Sequence, residues 1–184
     1  MVPLVREGFD WEHGVFLGSI MSSEMTAAAT GTIGKLRFDP FAMLPFCGYN
    51  MADYWGHWLD IGKKAGATLP RLYLVNWFRK DADGHFMWPG FGDNSRGIEW
   101  IFGRCSGEDD AVETPIGFLP APGAIDTTGL NIAEADLSAL LSVDPAAWVG
   151  EAAAIEEHYA RFGSKLPAAL AARLAQMKRA VAAN

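Results

Sequence analysis

Arg71-Leu-Tyr-Leu-Val-Asn-Trp-Phe-Arg-Lys-Asp-Ala-Asp-Gly-His-Phe-Met-Trp-Pro-Gly-Phe-Gly-Asp-Asn-Ser-Arg96 holds strand, turn, return, loop and helix start within one stretch. Arg71 to Phe78 is rich in β-formers and reads as a strand. Asp81-Ala-Asp-Gly84 reads as a turn and His85 to Trp88 as the returning arm of a hairpin. Pro89 to Asn94 is a tight loop, and Asn94 or Ser95 caps a helix carrying Ile98, Ile101 and Phe102. Strand followed by helix sets the class, α/β, and the flanking segments extend it. Val15 to Ile20 is a short apolar run that reads as a buried strand, and Leu36-Arg-Phe38 as another. The expected sheet is mixed, built from 15–20, 36–38, 71–78 and 86–88, with helices near 51–64, 95–104, 145–162 and 167–182 covering it.

The helices announce themselves by spacing. Asn50 caps a segment with Met51, Tyr54, Trp55, Trp58 and Leu59 on one apolar stripe. Asp144 and Pro145 supply a cap and a first helical position ahead of Trp148, Ala152, Ile155, Tyr159 and Phe162. After Pro167 a last stripe runs through Leu170, Leu174, Met177 and Val181. Neither an internal repeat nor a linker interrupts the chain, so residues 1–184 read as a single domain with a helical tail from 145 to 184.

Composition bounds the function. Of 184 residues, 50% are hydrophobic and 20% charged, which excludes a disordered chain. With 15 basic against 22 acidic residues and a net charge of −7, a general nucleic-acid binder is not expected, because phosphate neutralisation needs a basic face. No apolar run approaches the length of a membrane span. Two cysteines, Cys47 and Cys105, are too few for a disulfide scaffold or a four-ligand zinc site and fit a reducing cytoplasm.

Few patterns carry chemistry. Gly31-Thr-Ile-Gly34-Lys35-Leu36 lacks the glycine spacing and the Ser or Thr of a Walker loop. His13, His57, His85 and His158 share no short ligand spacing, and His13 beside Glu12 is a weak acid–base candidate. The strongest signal is 76–96. Phe78, Phe86 and Phe91 stand on or beside the hairpin with basic residues between them, and Asn94 opens a helix. Two readings stand. Composition favours three core rings. A ring between two glycines, as at Phe91, favours a cleft in which aromatic faces stack a planar base and the Asn94 amide reads its edge.

These residues resemble the C-terminal part of the GTP-dependent phosphoenolpyruvate carboxykinase family. His13-Gly-Val-Phe16, Met21-Ser-Ser-Glu-Met-Thr-Ala-Ala-Ala29, Asp39-Pro-Phe-Ala-Met43, Pro45-Phe-Cys-Gly-Tyr-Asn50 and His57-Trp-Leu59 agree with it in order and spacing. Val75-Asn-Trp-Phe-Arg-Lys-Asp81, Trp88-Pro-Gly-Phe-Gly-Asp-Asn-Ser-Arg96 and Thr114-Pro-Ile-Gly117 continue it. Cys47 stands where an aromatic is common in the family. The resemblance implies a carboxy-lyase of gluconeogenesis that converts oxaloacetate and GTP to phosphoenolpyruvate, GDP and CO2, with Mn2+ or Mg2+. It implies a guanine pocket of Phe78, Phe86, Phe91, Gly92, Asp93 and Asn94. It also implies a closing lid over about 23–34: Ser23, Glu24, Met25, Thr26, Ala27, Ala28, Ala29, Thr30, Gly31 and Gly34.

The family's phosphate loop, metal ligands, catalytic lysine and oxaloacetate-binding arginines lie N-terminal to the matching segment. No catalytic residue and no metal ligand is therefore expected among these residues, and the chain alone is expected to be inactive. Its expected partners are guanine nucleotide and the N-terminal part of such an enzyme. The opening apolar run fits a truncated chain, and a homodimer is expected through the apolar surfaces of 2–5 and 15–20. The alternative is a stand-alone module derived from that enzyme, which binds nucleotide or docks on a partner.

Overall fold

The computed structural model describes residues 1–25, 35–64 and 66–183. Its strands are β1 (Val5–Glu7), β2 (Ser22–Glu24), β3 (Leu36–Phe38), β4 (Tyr73–Val75), β5 (Ala111–Thr114) and β6 (Gly117–Pro120). Its helices are α1 (Trp11–Ser19), α2 (Met51–Gly62), α3 (Asn94–Ser106), α4 (Glu134–Leu140), α5 (Pro145–Ala160) and α6 (Ala168–Ala182). The α/β class holds, and every strand pairing among the described residues is antiparallel. One sheet has the order β4-β1-β6-β5, while β2 and β3 pair with each other apart from it.

The opening residues are not an exposed apolar edge. β1 lies inside the sheet, with Val5 opposite Val75 and Glu7 opposite Phe118. Leu4 and Val5 are fully buried. Backbone N–H groups of Leu4 and Asn76 donate to Leu140 and Leu4 carbonyls at 2.8 Å each. The β5–β6 hairpin supplies the other neighbour.

Val15 to Ile20 is also not a strand. Val15 to Ser19 belong to α1, with Ile20 as its C-cap, and Asp10 starts the helix by accepting a hydrogen bond from the His13 N–H at 2.7 Å. His13 to Ser19 are all buried, so no polar face betrays the helical period. Gly14 and Gly18 permit this. A Cβ at Gly14 would collide with Leu72, and one at Gly18 with the Phe41 ring. Of the surfaces expected to mediate dimerisation, 3–5 and 15–20 are thus interior, and Val2 is half-buried.

The strand expected over 71–78 shortens to Tyr73–Val75, and 86–88 never joins the sheet. The hairpin survives as a narrow ladder. Lys80 bridges Phe86, the Asp81 N–H donates to the His85 carbonyl at 2.9 Å, and the Met87 N–H donates to the Arg79 carbonyl at 3.0 Å.

The amphipathic helices match their sequence patterns. Asn50 caps α2, accepting from the Ala52 N–H at 2.9 Å, and Met51, Trp55 and Leu59 are buried. Asp144 caps α5, and Trp148, Ala152, Ile155 and Tyr159 are buried. On α6 the buried residues are Leu170, Leu174, Met177 and Val181. Two apolar clusters result. The larger joins α1, α2, α5 and α6. The smaller gathers Leu4, Val5, Trp88, Trp100, Ile125 and Leu140, and it underlies the segment singled out above.

Candidate nucleotide-base site

The hairpin that carries Phe78 and Phe86 is fastened at its base. Asn76 Nδ2 donates to the Val2 carbonyl at 3.0 Å, and Asn76 Oδ1 accepts from the Phe78 N–H at 3.2 Å. Arg79 Nη1 donates to the Ala139 carbonyl at 2.6 Å. Trp88, 1% exposed, roots the returning arm in the smaller core cluster. Beyond it the chain turns through Gly90 at φ 77° and Phe91 at φ 50° before entering α3.

On this fixed base the rings point away from the core. Phe78 is 71% exposed, Phe86 58% and Phe91 94%. Phe78 and Phe86 meet edge to face, with centroids 6.1 Å apart. Lys80 Nζ lies 5.1 Å from the centre of the Phe86 ring. Among the described residues Phe91 makes no ring contact with either. Three core rings are therefore the wrong reading of Phe78, Phe86 and Phe91. Burial would remove large aromatic surface from water, and the fold leaves it exposed.

Asn94 is half-buried at the start of α3, and its Oδ1 accepts the Trp88 Nε1–H at 3.0 Å. Asp93 Oδ1 accepts from Arg96 Nε at 3.0 Å. Arg96 also donates to the Asp126 and Thr128 carbonyls, at 2.7 and 3.0 Å, which pins the loop at 126–128 to the start of α3. Gly92 is exposed, and its carbonyl accepts from Ser95 Oγ at 2.7 Å. So Phe78, Phe86, Phe91 and Asn94 offer free faces or donors, whereas Asp93 spends a carboxylate oxygen on Arg96. Trp88 escaped attention as a site residue; its place in an aromatic run gave no sign of the bond to Asn94.

The other candidates resolve into structure. His13 and Glu12 do not pair: Glu12 accepts from Arg173 Nε at 2.8 Å, and His13 Nδ1 accepts from the Phe9 N–H at 3.0 Å. Burial lowers the His13 pKa to about 3, and Arg6 and Arg173 reinforce the shift. His57 is exposed. Asp81, Asp83 and His85 are the one grouping of possible metal ligands among the described residues, and all three are exposed. Asp81 Oδ1 already accepts the Asp83 and His85 N–H groups, at 2.9 and 2.8 Å, closing its own turn. Those bonds, that to His85 above all, lower the Asp81 pKa. This is turn chemistry, and it does not fit the divalent cation of the resemblance.

Two concavities lie away from the aromatic segment. One of about 500 Å³ runs between α5 and α6, and one of about 560 Å³ lies between Phe9, the β5–β6 hairpin and α6. The aromatic site is an open platform. The ends of the expected lid are visible at β2 and β3. Glu24 pairs with Leu36, the Met25 N–H donates to the Lys35 carbonyl at 2.9 Å, and Ser23 Oγ donates to Asp39 Oδ2 at 2.7 Å. The lid positions from Thr26 to Gly34 lie outside the described residues. Among the described residues no helix is long and apolar enough to cross a membrane.

Comparison with known proteins agrees with this architecture. The family model described as the phosphoenolpyruvate carboxykinase C-terminal P-loop domain matches residues 1–180. A "Phosphoenolpyruvate carboxykinase [GTP]" of Treponema pallidum (strain Nichols) is 57% identical over 169 residues, 90% of this chain and 27% of that protein. One from Neocallimastix frontalis is 54% identical over 175 residues, covering 94% and 29%. One from Chlamydia caviae is 52% identical over 179 residues, covering 97% and 30%. The chain therefore spans under a third of the length of these relatives, and within them it corresponds to the C-terminal part. With one family model matching almost end to end and relatives identical at half their aligned positions, the chain belongs to the GTP-dependent phosphoenolpyruvate carboxykinase family and falls within the family's C-terminal P-loop domain.

Proposed function

We propose that this chain recognises the guanine base of GTP and GDP through Phe78, Phe86, Phe91 and Asn94, with Gly92 and Asp93 shaping the loop between the last ring and the amide. The observation that carries the reading is the exposure of the three rings on a base bolted to the core. Aromatic faces held out in water at fixed positions stack a purine at little ordering cost, each contact worth on the order of 1–3 kcal/mol. The left-handed backbone at Phe91 supports it. A non-glycine residue there costs on the order of 1–3 kcal/mol, and such strain clusters at binding sites.

In the same reading the segment from about Ser23 to Gly34 acts as a lid. The β2–β3 ladder brings its two ends together, and closure would keep water from an enolate awaiting phosphorylation. The reaction proposed for the complete enzyme is decarboxylation of oxaloacetate and phosphorylation of the enolate by GTP, in the cytoplasm, in gluconeogenesis. Mn2+ or Mg2+ would supply charge neutralisation at the phosphoryl groups from ligands outside these residues. The 184 residues on their own are then expected to bind nucleotide without converting oxaloacetate.

Calorimetric titration of the chain with GDP and with ADP tests the reading. Saturable binding of GDP and none or far weaker binding of ADP is expected. Equal affinity for both, or binding of neither, would overturn base recognition by this segment.

A further inference from the structure

We infer that Trp88 is the residue that sets the base preference of this site, by fixing which end of the Asn94 amide faces a ligand; the inference rests on the guanine-binding reading above. An indole N–H donates and cannot accept. The Trp88 N–H lies 3.0 Å from the Asn94 amide, on a side chain only 1% exposed. With the indole buried, the amide oxygen is the acceptor within reach of its N–H and faces it. This orientation follows from the partner's chemistry and not from the choice of O and N positions. Flipping the amide would set an NH2 group against the indole N–H and leave a buried donor unpaired.

The consequence falls on the other end of the amide. Asn94 Nδ2 makes no hydrogen bond among the described residues, so the end of the amide that Trp88 leaves free is its NH2 donor. At the corresponding ring position guanine carries the O6 acceptor and adenine an N6 amino donor. A free asparagine could serve either base by rotating its amide. One held by Trp88 turns its NH2 outward, which suits the first and sets a donor against the second. Trp88 touches no base in this arrangement; it is a positioning residue, and the discrimination is built one residue beneath the contact surface.

The test replaces the donor and keeps the shape. Trp88→Phe is the simple variant. Because Trp88 is core, the decisive variant carries 3-benzothienylalanine at position 88, with sulfur in place of the N–H. GDP and ADP affinities are measured for both and for the unaltered chain. The ratio of ADP to GDP dissociation constants is expected to fall about tenfold or more when the N–H is lost. A merely structural role would weaken both nucleotides by the same factor, and an unchanged ratio in the benzothienyl variant would overturn the inference while leaving the guanine reading intact. Asn94→Asp retains an acceptor for Trp88 and presents a second one outward, so its ratio should move toward ADP. Should the unaltered chain bind neither nucleotide or both alike, the guanine reading fails and this inference fails with it. A readout without nucleotide stands beside these. In the 15N-labelled chain the Trp88 indole N–H should resist solvent exchange and lose that protection in Asn94→Ala. Rapid exchange in the unaltered chain would refute the bond itself.

Discussion

Phe91 and Trp88 lie three positions apart and divide the labour of the site between them. Phe91 buries almost nothing, being 94% exposed, so its ring does little for folding. Phe91→Ala should change the unfolding free energy by less than about 0.5 kcal/mol, as for other exposed positions. It should weaken GDP binding by about 1–3 kcal/mol, the value of a lost stacking face. Paired urea unfolding and calorimetry would separate the two effects, and a large stability loss with unchanged binding would contradict the assignment. Gly14 makes the opposite case. Its missing side chain leaves room for Leu72, and a methyl group would displace that contact. Gly14→Ala should cost about 1–3 kcal/mol by overpacking, despite the better helix propensity of alanine, with base recognition untouched. That difference in denaturation midpoint is its check.

Helices were legible where only one face is buried. α2, α5 and α6 show apolar residues three and four apart and have solvent on the other side. α1 is enclosed on all sides and looks like a strand by composition, because periodicity reports a boundary between core and water and α1 has none. The cap at Asp10 was its one local sign. α5 is a helix whose start depends on one carboxylate. Asp144 Oδ1 accepts from the Ala146 N–H at 3.0 Å and the Ala147 N–H at 3.4 Å. Asp144→Ala should destabilise the protein by about 1 kcal/mol, and Asp144→Ser by less, since serine can still cap. Thermal melts of the two variants should fall in that order. A loss several times larger would mean that the turn before α5 does more than cap it.

Two histidines give the folded chain a pH dependence. Burial holds the His158 pKa down at about 4, and His13 is held at about 3, against an ordinary 6.5. His158 packs between Phe38, stacked at 4.2 Å, and Phe162, and its Nε2 lies 3.3 Å from the Ser19 carbonyl. A depressed histidine pKa means that the unfolded chain binds more protons than the folded one. Stability is full above about pH 6.5 and declines as the pH falls toward 4. At pH 5 each histidine should cost about 2 kcal/mol relative to neutral pH. Glu151 works against this, because burial raises its carboxyl pKa and a raised carboxyl favours the folded state as it takes up a proton. Asp10, with its pKa lowered, contributes only at more acid pH. The direct comparison is therefore His158→Leu against the unaltered chain, by urea unfolding at pH 7 and pH 5. The variant should lose less stability between the two pH values, and parallel losses would show that His158 does not titrate as described.

Family membership, three amphipathic helices, their caps and the run of residues that makes the site could all be read from the chain, since each depends on neighbours a few positions apart. The strand pairing could not. β1 finds β4 and β6 some 70 and 110 residues away, and nothing local distinguishes a central strand from an apolar tail. Nor could the exposure of Phe78, Phe86 and Phe91, which composition assigns to a core. Their exposure follows from how Trp88, Asn76 and Arg79 anchor the hairpin, through contacts with Leu140, Val2 and Ala139 that come from distant parts of the chain. Local order is encoded by spacing, whereas burial is a property of the assembled surfaces, and it is burial that separates a binding ring from a packing one.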